Sequence, residues 1–192
     1  MGLLIESVRA EEDALDIAAA SARTIALIFG AFDYWSSLRM LDVPYRFDHP
    51  LVDAARIRIA KAAASVGIPA IAEMTLNFPT KDKSLSEQQA ALDECRQDAL
   101  HAKRLGFRGK WTGIPAQVDI ALEVFAISDE AIARAIEEAR LYRNAELAGR
   151  GAVMIRGKMA DRATDRMHRE VLRAAHRMGR LDDEVAVELG LV

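Results

Sequence analysis

Two short apolar runs each end in a carboxylate: "LLIES" at 3–7 delivers Glu6, and "IFGAFDYW" at 28–35 delivers Asp33. On composition alone, an acid behind a strand-like run reads as a cap for the following helix, and Asp33 also suits an ordinary turn after Gly30. The repetition of the arrangement raises the alternative that the two acids meet. Other reactive residue types give less. His49, His101, His168 and His176 have no zinc-type spacing, and no nucleophile–base pattern or glycine-rich phosphate loop occurs. The single cysteine, Cys95, lies in a polar helix-like run and reads as an inert thiol. It excludes an internal disulfide framework and fits a reducing compartment.

The elements that must position these acids alternate, as a parallel α/β architecture requires. "LLIES" is followed by the Ala-rich helical pattern "EEDALDIAAASA", with acids in its first turn. "TIALIFG" at 24–30 is continuous in apolar residues, as for a strand covered on both faces. A loop over about 40–52, with "DVPYRFDHP", leads to the helix "DAARIRIAKAAASVG", closed at Gly67. "IPAIAEM" reads as a third strand and "NFPTKDKS" as a loop of the kind that carries function. Ser86 and Gln89 have capping-box spacing for the helix "EQQAALDECRQDALHAKRLG", ended by Gly106. "FRGKWTGI" is the fourth strand candidate, and Pro115 opens the helix "PAQVDIALEVF". A longer helix, "SDEAIARAIEEARLYRNAELAGRG", places Ile132, Ile136, Ala139 and Tyr142 along one face. The ribbon-like "AVMIRG" and a helical region from about 160 complete the chain.

Bulk properties narrow the function classes. The chain has 192 residues and 51% hydrophobic content, enough for one good core, or one plus an appendage. Charged residues make up 29% with a formal net charge of -3, so the basic excess that neutralises phosphates is missing and nucleic acid is not an expected partner. No apolar stretch approaches the roughly 20 residues that span a bilayer, and the N-terminus lacks the features of a signal peptide. The expectation is a cytoplasmic protein with no membrane partner.

In this order, "LLIES", "IFGAFD", "GFRGKW" followed by "IPAQ", and "GRGAVMIRGKMAD" resemble the citrate lyase beta-subunit and malyl-CoA lyase branch of the HpcH/HpaI aldolase superfamily. The resemblance runs over nearly the whole chain. It implies an α/β fold: a partial TIM (β/α) barrel holding the last four β/α units, with a C-terminal helical extension. The barrel part would span 1–127 and the extension or lid 128–192. A complete barrel has eight strands and typically about 250 residues. The missing strands carry the family's substrate-gripping arginine, which has no counterpart here.

The resemblance also answers the question of the two acids. TIM-barrel sites lie at the C-terminal ends of the strands, and the family's metal ligands match Glu6 and Asp33. Two carboxylates with water and substrate oxygens suit Mg2+, a hard cation that often takes only one or two protein acids. Gly30 and Ala31 would offer backbone N–H groups to substrate beside it. The implied reaction cleaves or forms a 3-hydroxyacyl-CoA of malyl, citramalyl or citryl type through a metal-stabilised enolate. Its partners are an acyl-CoA and a small keto or hydroxy acid. Asp161 in "GKMAD" matches the acid that the family's extension sends to a neighbouring subunit for proton transfer, which implies a homo-oligomer; locally it also reads as a helix N-cap. Lys110 and Arg150 are candidates for the CoA phosphates, although exposed bases usually just face water, and Trp111 reads as core packing.

The chain departs from the family pattern at two places. Ile114 stands where His usually precedes Pro, so that contact is lost, and Glu73 is the nearest acid where an Asp-rich turn is common. Two other readings stand beside the lyase: a truncated, non-catalytic fragment with open strand edges, and a pyruvate-type aldolase that shares the metal pair without needing the extension.

Overall fold

The computed structural model describes residues 1–192 and divides into two compact units, Met1–Ala126 and Ile127–Val192. No helix is long and apolar enough to cross a membrane.

The first unit carries a four-stranded parallel sheet in the order β1 (Gly2–Ile5), β2 (Ala26–Phe29), β3 (Ala70–Ala72) and β4 (Gly109–Lys110). Helices α1 (Val8–Glu12) and α2 (Ala14–Ala19) link β1 to β2, α3 (Ala31–Ser37) and α4 (Pro50–Ser65) link β2 to β3, and α5 (Leu85–Arg104) links β3 to β4. Helix α6 (Pro115–Phe125) follows β4. Ile5, Leu27, Phe29, Ala70 and Ala72 form one buried core with Val52, Ala55, Ile59 and Ala63 of α4.

The in-register residues Leu4, Ile28, Ile71 and Gly109 belong to the other face, where Leu4 is 44% exposed and Ile28 and Ile71 are only partly buried. The expectation that "TIALIFG" is covered on both faces therefore holds for alternate residues only. Within this unit the core builds on one side of the sheet, and side chains in a strand alternate between faces.

Several boundaries differ from the sequence pattern. The pattern "EEDALDIAAASA" becomes two helices that meet at Asp13, whose ψ of 12° leaves the helical region. Helix α1 starts earlier, where the Ser7 hydroxyl accepts from the Ala10 N–H. The capping box of α5 is Ser84 with Glu87, not Ser86 with Gln89: Ser84 Oγ accepts from the Glu87 N–H and the Glu87 carboxylate accepts from the Ser84 N–H. Both pairs have the right spacing, and the chain turns at the first. The fourth strand keeps only Gly109–Lys110 of "FRGKWTGI". Gly67, at φ +77°, does close α4 as the spacing predicts, because a left-handed residue there costs glycine little.

In the second unit, α7 (Asp129–Leu147) is followed by a hairpin of β5 (Ala152–Ile155) and β6 (Lys158–Asp161), then α8 (Arg162–Arg177) and α9 (Asp183–Glu188). Arg156 and Gly157 both have positive φ, as a tight two-residue hairpin turn requires. The α7 face named by the sequence is buried at Ile132, Ala139 and Tyr142, with Ile136 only partly so. Ile132, Ala135 and Ala139 pack with Leu172, Ala175, Leu181, Ala186 and Leu189.

Candidate metal and substrate site

Because Ile5 pairs with Phe29, the residues that follow β1 and β2 come out side by side. Glu6 leaves β1 directly, and Gly30 turns β2 into α3, which puts Asp33 in that helix's first turn. Gly30 and Glu6 touch: a Cβ on Gly30 would stand 2.6 Å from Glu6 Cβ and 3.1 Å from Glu6 Oε2. Any other residue there would push the carboxylate away. Gly30 thus serves as a steric gap, since its φ of -100° is open to other residues.

Both carboxylates are exposed, and neither belongs to an ion pair within the chain. No group of three or more His, Cys, Asp or Glu gathers as a metal cluster. The pair is all oxygen, free of cationic side chains and adjacent to the cradle at Gly30, and such a donor set fits Mg2+ completed by water or substrate oxygens.

The expected backbone donors differ in availability. The Gly30 N–H is committed to Ile5 O at 2.9 Å. It therefore cannot serve a substrate, which corrects the sequence expectation. Ala31 is the first residue of α3, where N–H groups lack intrahelical partners.

Lys110 is also corrected. Its side chain is fully buried, donating to Asp98 Oδ2 at 2.5 Å and to Glu73 O at 2.6 Å, so it cannot meet a CoA phosphate. Arg150 is exposed just beyond α7 in the second unit. Asp161 caps α8, accepting from the N–H groups of Ala163 at 2.9 Å and Thr164 at 3.0 Å. Those bonds, with one from the Thr164 hydroxyl, hold its carboxyl below the ordinary Asp value of 3.8. Trp111 is not core: it is 45% exposed and lines a cavity with Asp33.

Lys110 belongs to a buried ionic quartet that no sequence pattern announces. Arg56, on α4, is wholly buried and reaches Glu73 beyond β3 through both Nε and Nη2; the same Nη2 lies 2.5 Å from Asp98 Oδ1 on α5. Thr75 donates to Asp98 Oδ2 at 2.8 Å, the Tyr45 hydroxyl donates to Glu73 at 3.2 Å, and Gln117 Nε2 donates to Thr75 O at 2.8 Å. Burial would raise the Asp98 pKa, but Lys110 and Arg56 outweigh it and hold the carboxyl below its usual value. For Glu73 burial wins, aided by Asp98 and opposed by Arg56, and its pKa is raised. In the sequence these charges sit in ordinary helical and loop contexts, and only the distance relation brought out by folding identifies them.

Comparison with known proteins identifies relatives of the whole chain. The profile of the family described as "Domain of unknown function (DUF6986)" matches residues 9–192. Citrate lyase subunit beta of Escherichia coli (strain K12) is 33% identical over 162 residues, covering 83% of this chain and 49% of that protein. L-malyl-CoA/beta-methylmalyl-CoA lyase of Rhodobacter capsulatus is 31% identical over 187 residues, covering 90% and 55%. The chain thus spans about half the length of these curated relatives. Among solved structures, a citrate lyase from Burkholderia xenovorans LB400 superposes with a TM-score of 0.76 at 28% identity, over 98% of this chain and 56% of that one. CitE from Mycobacterium tuberculosis, in complex with magnesium, acetoacetate and coenzyme A, shares the fold at a TM-score of 0.64 and 24% identity, over 92% and 60%. The chain belongs to the DUF6986 family and, with these relatives, to the CoA-ester lyase branch of the HpcH/HpaI superfamily.

Proposed function

We propose that this chain is the site-bearing half of a Mg2+-dependent carbon–carbon lyase that cleaves or forms a 3-hydroxyacyl-CoA thioester. The four parallel strands and their helices would be the last four units of a TIM barrel, with the second unit as its extension. One observation carries the reading: two carboxylates without ion-pair partners, Glu6 and Asp33, follow the C-terminal ends of adjacent parallel strands, and Gly30 leaves the space beside Glu6. Barrel enzymes place their chemistry at that end.

Glu6 and Asp33 would hold the metal. Bound there, Mg2+ supplies Lewis-acid polarisation of substrate oxygens. The chain's own groups then have distinct tasks. The free N–H of Ala31, at the start of α3, favours an anionic oxygen nearby, since a helix N-terminus carries partial positive charge. Asp161 uses Oδ1 for its cap bonds, which leaves Oδ2 to exchange a proton. Its carboxylate form is the one that can accept a proton there. In a homo-oligomer, Asp161 would serve the acid pair of another copy, and Arg150 is the remaining base for a CoA phosphate.

The uncovered sheet face at Leu4, Ile28 and Ile71 favours a second reading, in which the chain is a non-catalytic fragment until further strands cover it. A coupled assay separates the two. Purified chain, Mg2+ and malyl-CoA or citramalyl-CoA should give cleavage that is lost in Glu6→Ala and in Asp33→Ala. Cleavage that survives both substitutions would overturn the acid-pair assignment. Cleavage only from a version extended with upstream barrel strands would establish the fragment reading.

A further inference from the structure

Beside Asp33, the ends of β2, β3 and β4 enclose a cavity of about 180 Å³ whose walls are Phe32, Met74, Leu76 and Trp111. That is well above the roughly 10–15 Å³ a single water needs. No Lys, Arg or His lines it; its acids are Asp33 and Glu73. Glu73 is turned into the buried quartet, where Arg56 binds both of its oxygens and Tyr45 donates to one. What faces the cavity is therefore apolar surface with a single free carboxylate at the edge.

The walls are set in place from behind. Phe32 packs on Tyr45 with ring centroids 4.6 Å apart. Met74 lies against Gly113, where a Cβ would stand 2.5 Å from Met74 Sδ and 3.0 Å from the Phe78 ring. Phe32, Leu76 and Trp111 are 47%, 40% and 45% exposed, so three large apolar groups present uncovered area next to the acid pair. Covering such area with an apolar group is favourable. With Asp33 engaged by the metal, a second carboxylate on the substrate would find no Lys, Arg or His in these walls and would lose its hydration against apolar groups.

We propose that this cavity seats an uncharged alkyl substituent of the substrate. Resting on the lyase reading, the inference makes Phe32, Met74, Leu76 and Trp111 specificity-determining residues. The small oxo acid of the reaction then carries an aliphatic side chain, with its oxygens toward Glu6 and Asp33 and its alkyl group among the aromatic walls.

Calorimetric titration of the purified chain in Mg2+ with glyoxylate, pyruvate, 2-oxobutyrate and 2-oxopentanoate tests this directly. Affinity should rise about fourfold per added methylene along the series. Gly113→Ala, whose methyl crowds the Met74 sulfur in the cavity wall, should abolish the rise and leave glyoxylate affinity unchanged. Leu76→Trp, at a half-exposed position that folding tolerates, should abolish the rise as well. A flat series, or one that favours glyoxylate, overturns the cavity assignment and leaves the lyase reading standing. A rise that persists in EDTA supports the cavity assignment and removes the metal from the reading. Failure of every oxo acid to bind, with and without Mg2+, overturns the cavity assignment outright.

Discussion

Gly30 and Glu6 are in steric register across β1 and β2: a Cβ on Gly30 would fall 2.6 Å from Glu6 Cβ. The glycine's contribution to the site is the volume it leaves empty. Gly30→Ala should displace Glu6 without unfolding the sheet, since the glycine's φ is accessible to alanine. Misplacing a ligand through its support typically lowers metal affinity by roughly 10- to 100-fold. Mn2+ titration followed by electron paramagnetic resonance should show that loss with an unchanged circular dichroism spectrum. Wild-type Mn2+ affinity in Gly30→Ala would mean that Glu6 is not a ligand.

The buried quartet makes a stability prediction with a defined sign in pH. Arg56→Met leaves the Glu73 carboxylate without its cationic partner and Asp98 with Lys110 alone. Breaking a buried ion pair from one side costs about 3–5 kcal/mol, and urea unfolding should show a loss of that order. The double variant Arg56→Met with Glu73→Gln should recover part of it, because one uncompensated charge is then gone. Asp98, with its pKa held below 3.8, adds stability that is present above pH 3.8 and lost as pH falls through the lower folded value. Asp98→Asn should therefore flatten the acid side of the stability curve. An Arg56→Met variant within 1 kcal/mol of wild type would show that the quartet is not holding α4 and α5 to the sheet.

How far the sequence reveals this molecule depends on the range of the forces involved. Apolar runs such as Leu3–Ile5 and Ala26–Phe29 announce strands because alternate residues of the run are buried against the helices, and Gly67 and Pro115 mark helix ends through local backbone constraints. Local competition is harder to read. "KSLSEQQ" offers Ser84 with Glu87 and Ser86 with Gln89, and only the approach of the chain selects the first. Glu6 and Asp33 are visible as strand-end acids, but the approach of Glu6 to Gly30 needs the register of two strands. Arg56 and Asp98 lie 42 residues apart on two helices, and each looks like a solvated surface charge until folding buries it. Trp111 reads as core for the opposite reason: its size suggests burial, yet β4 ends at Lys110 and leaves the ring at the cavity rim.

Cys95 is fully buried on α5, packed with Ala99, Ile120 and Val124. Burial raises its thiol above the ordinary value, ahead of the opposing influence of Lys110. Nucleophilic thiolate is therefore scarce and shielded. Iodoacetamide should label native protein on the order of 100-fold more slowly than urea-unfolded protein, because labelling must wait for an opening of the helix pair. Rapid labelling of the native chain, read by mass spectrometry, would mean that α5 and α6 separate readily in solution.

Asp161 has two separable roles, and one conservative substitution distinguishes them. As N-cap of α8 it needs only an acceptor oxygen for the N–H groups of Ala163 and Thr164, which Asn also supplies. As a proton-transfer group it needs a carboxylate. Asp161→Asn should keep a melting temperature close to that of wild type while lowering lyase turnover, whereas Asp161→Ala should lower both. The cap bonds hold the carboxyl below 3.8, so its charge contribution to helix stability is in place above that pH and disappears as pH falls through the depressed value. Thermal melts at pH 7 and at about pH 2.5 should therefore separate wild type from Asp161→Asn more at the higher pH. Equal turnover in wild type and Asp161→Asn would assign the residue to capping alone and move the search for the proton acceptor elsewhere in the assembly.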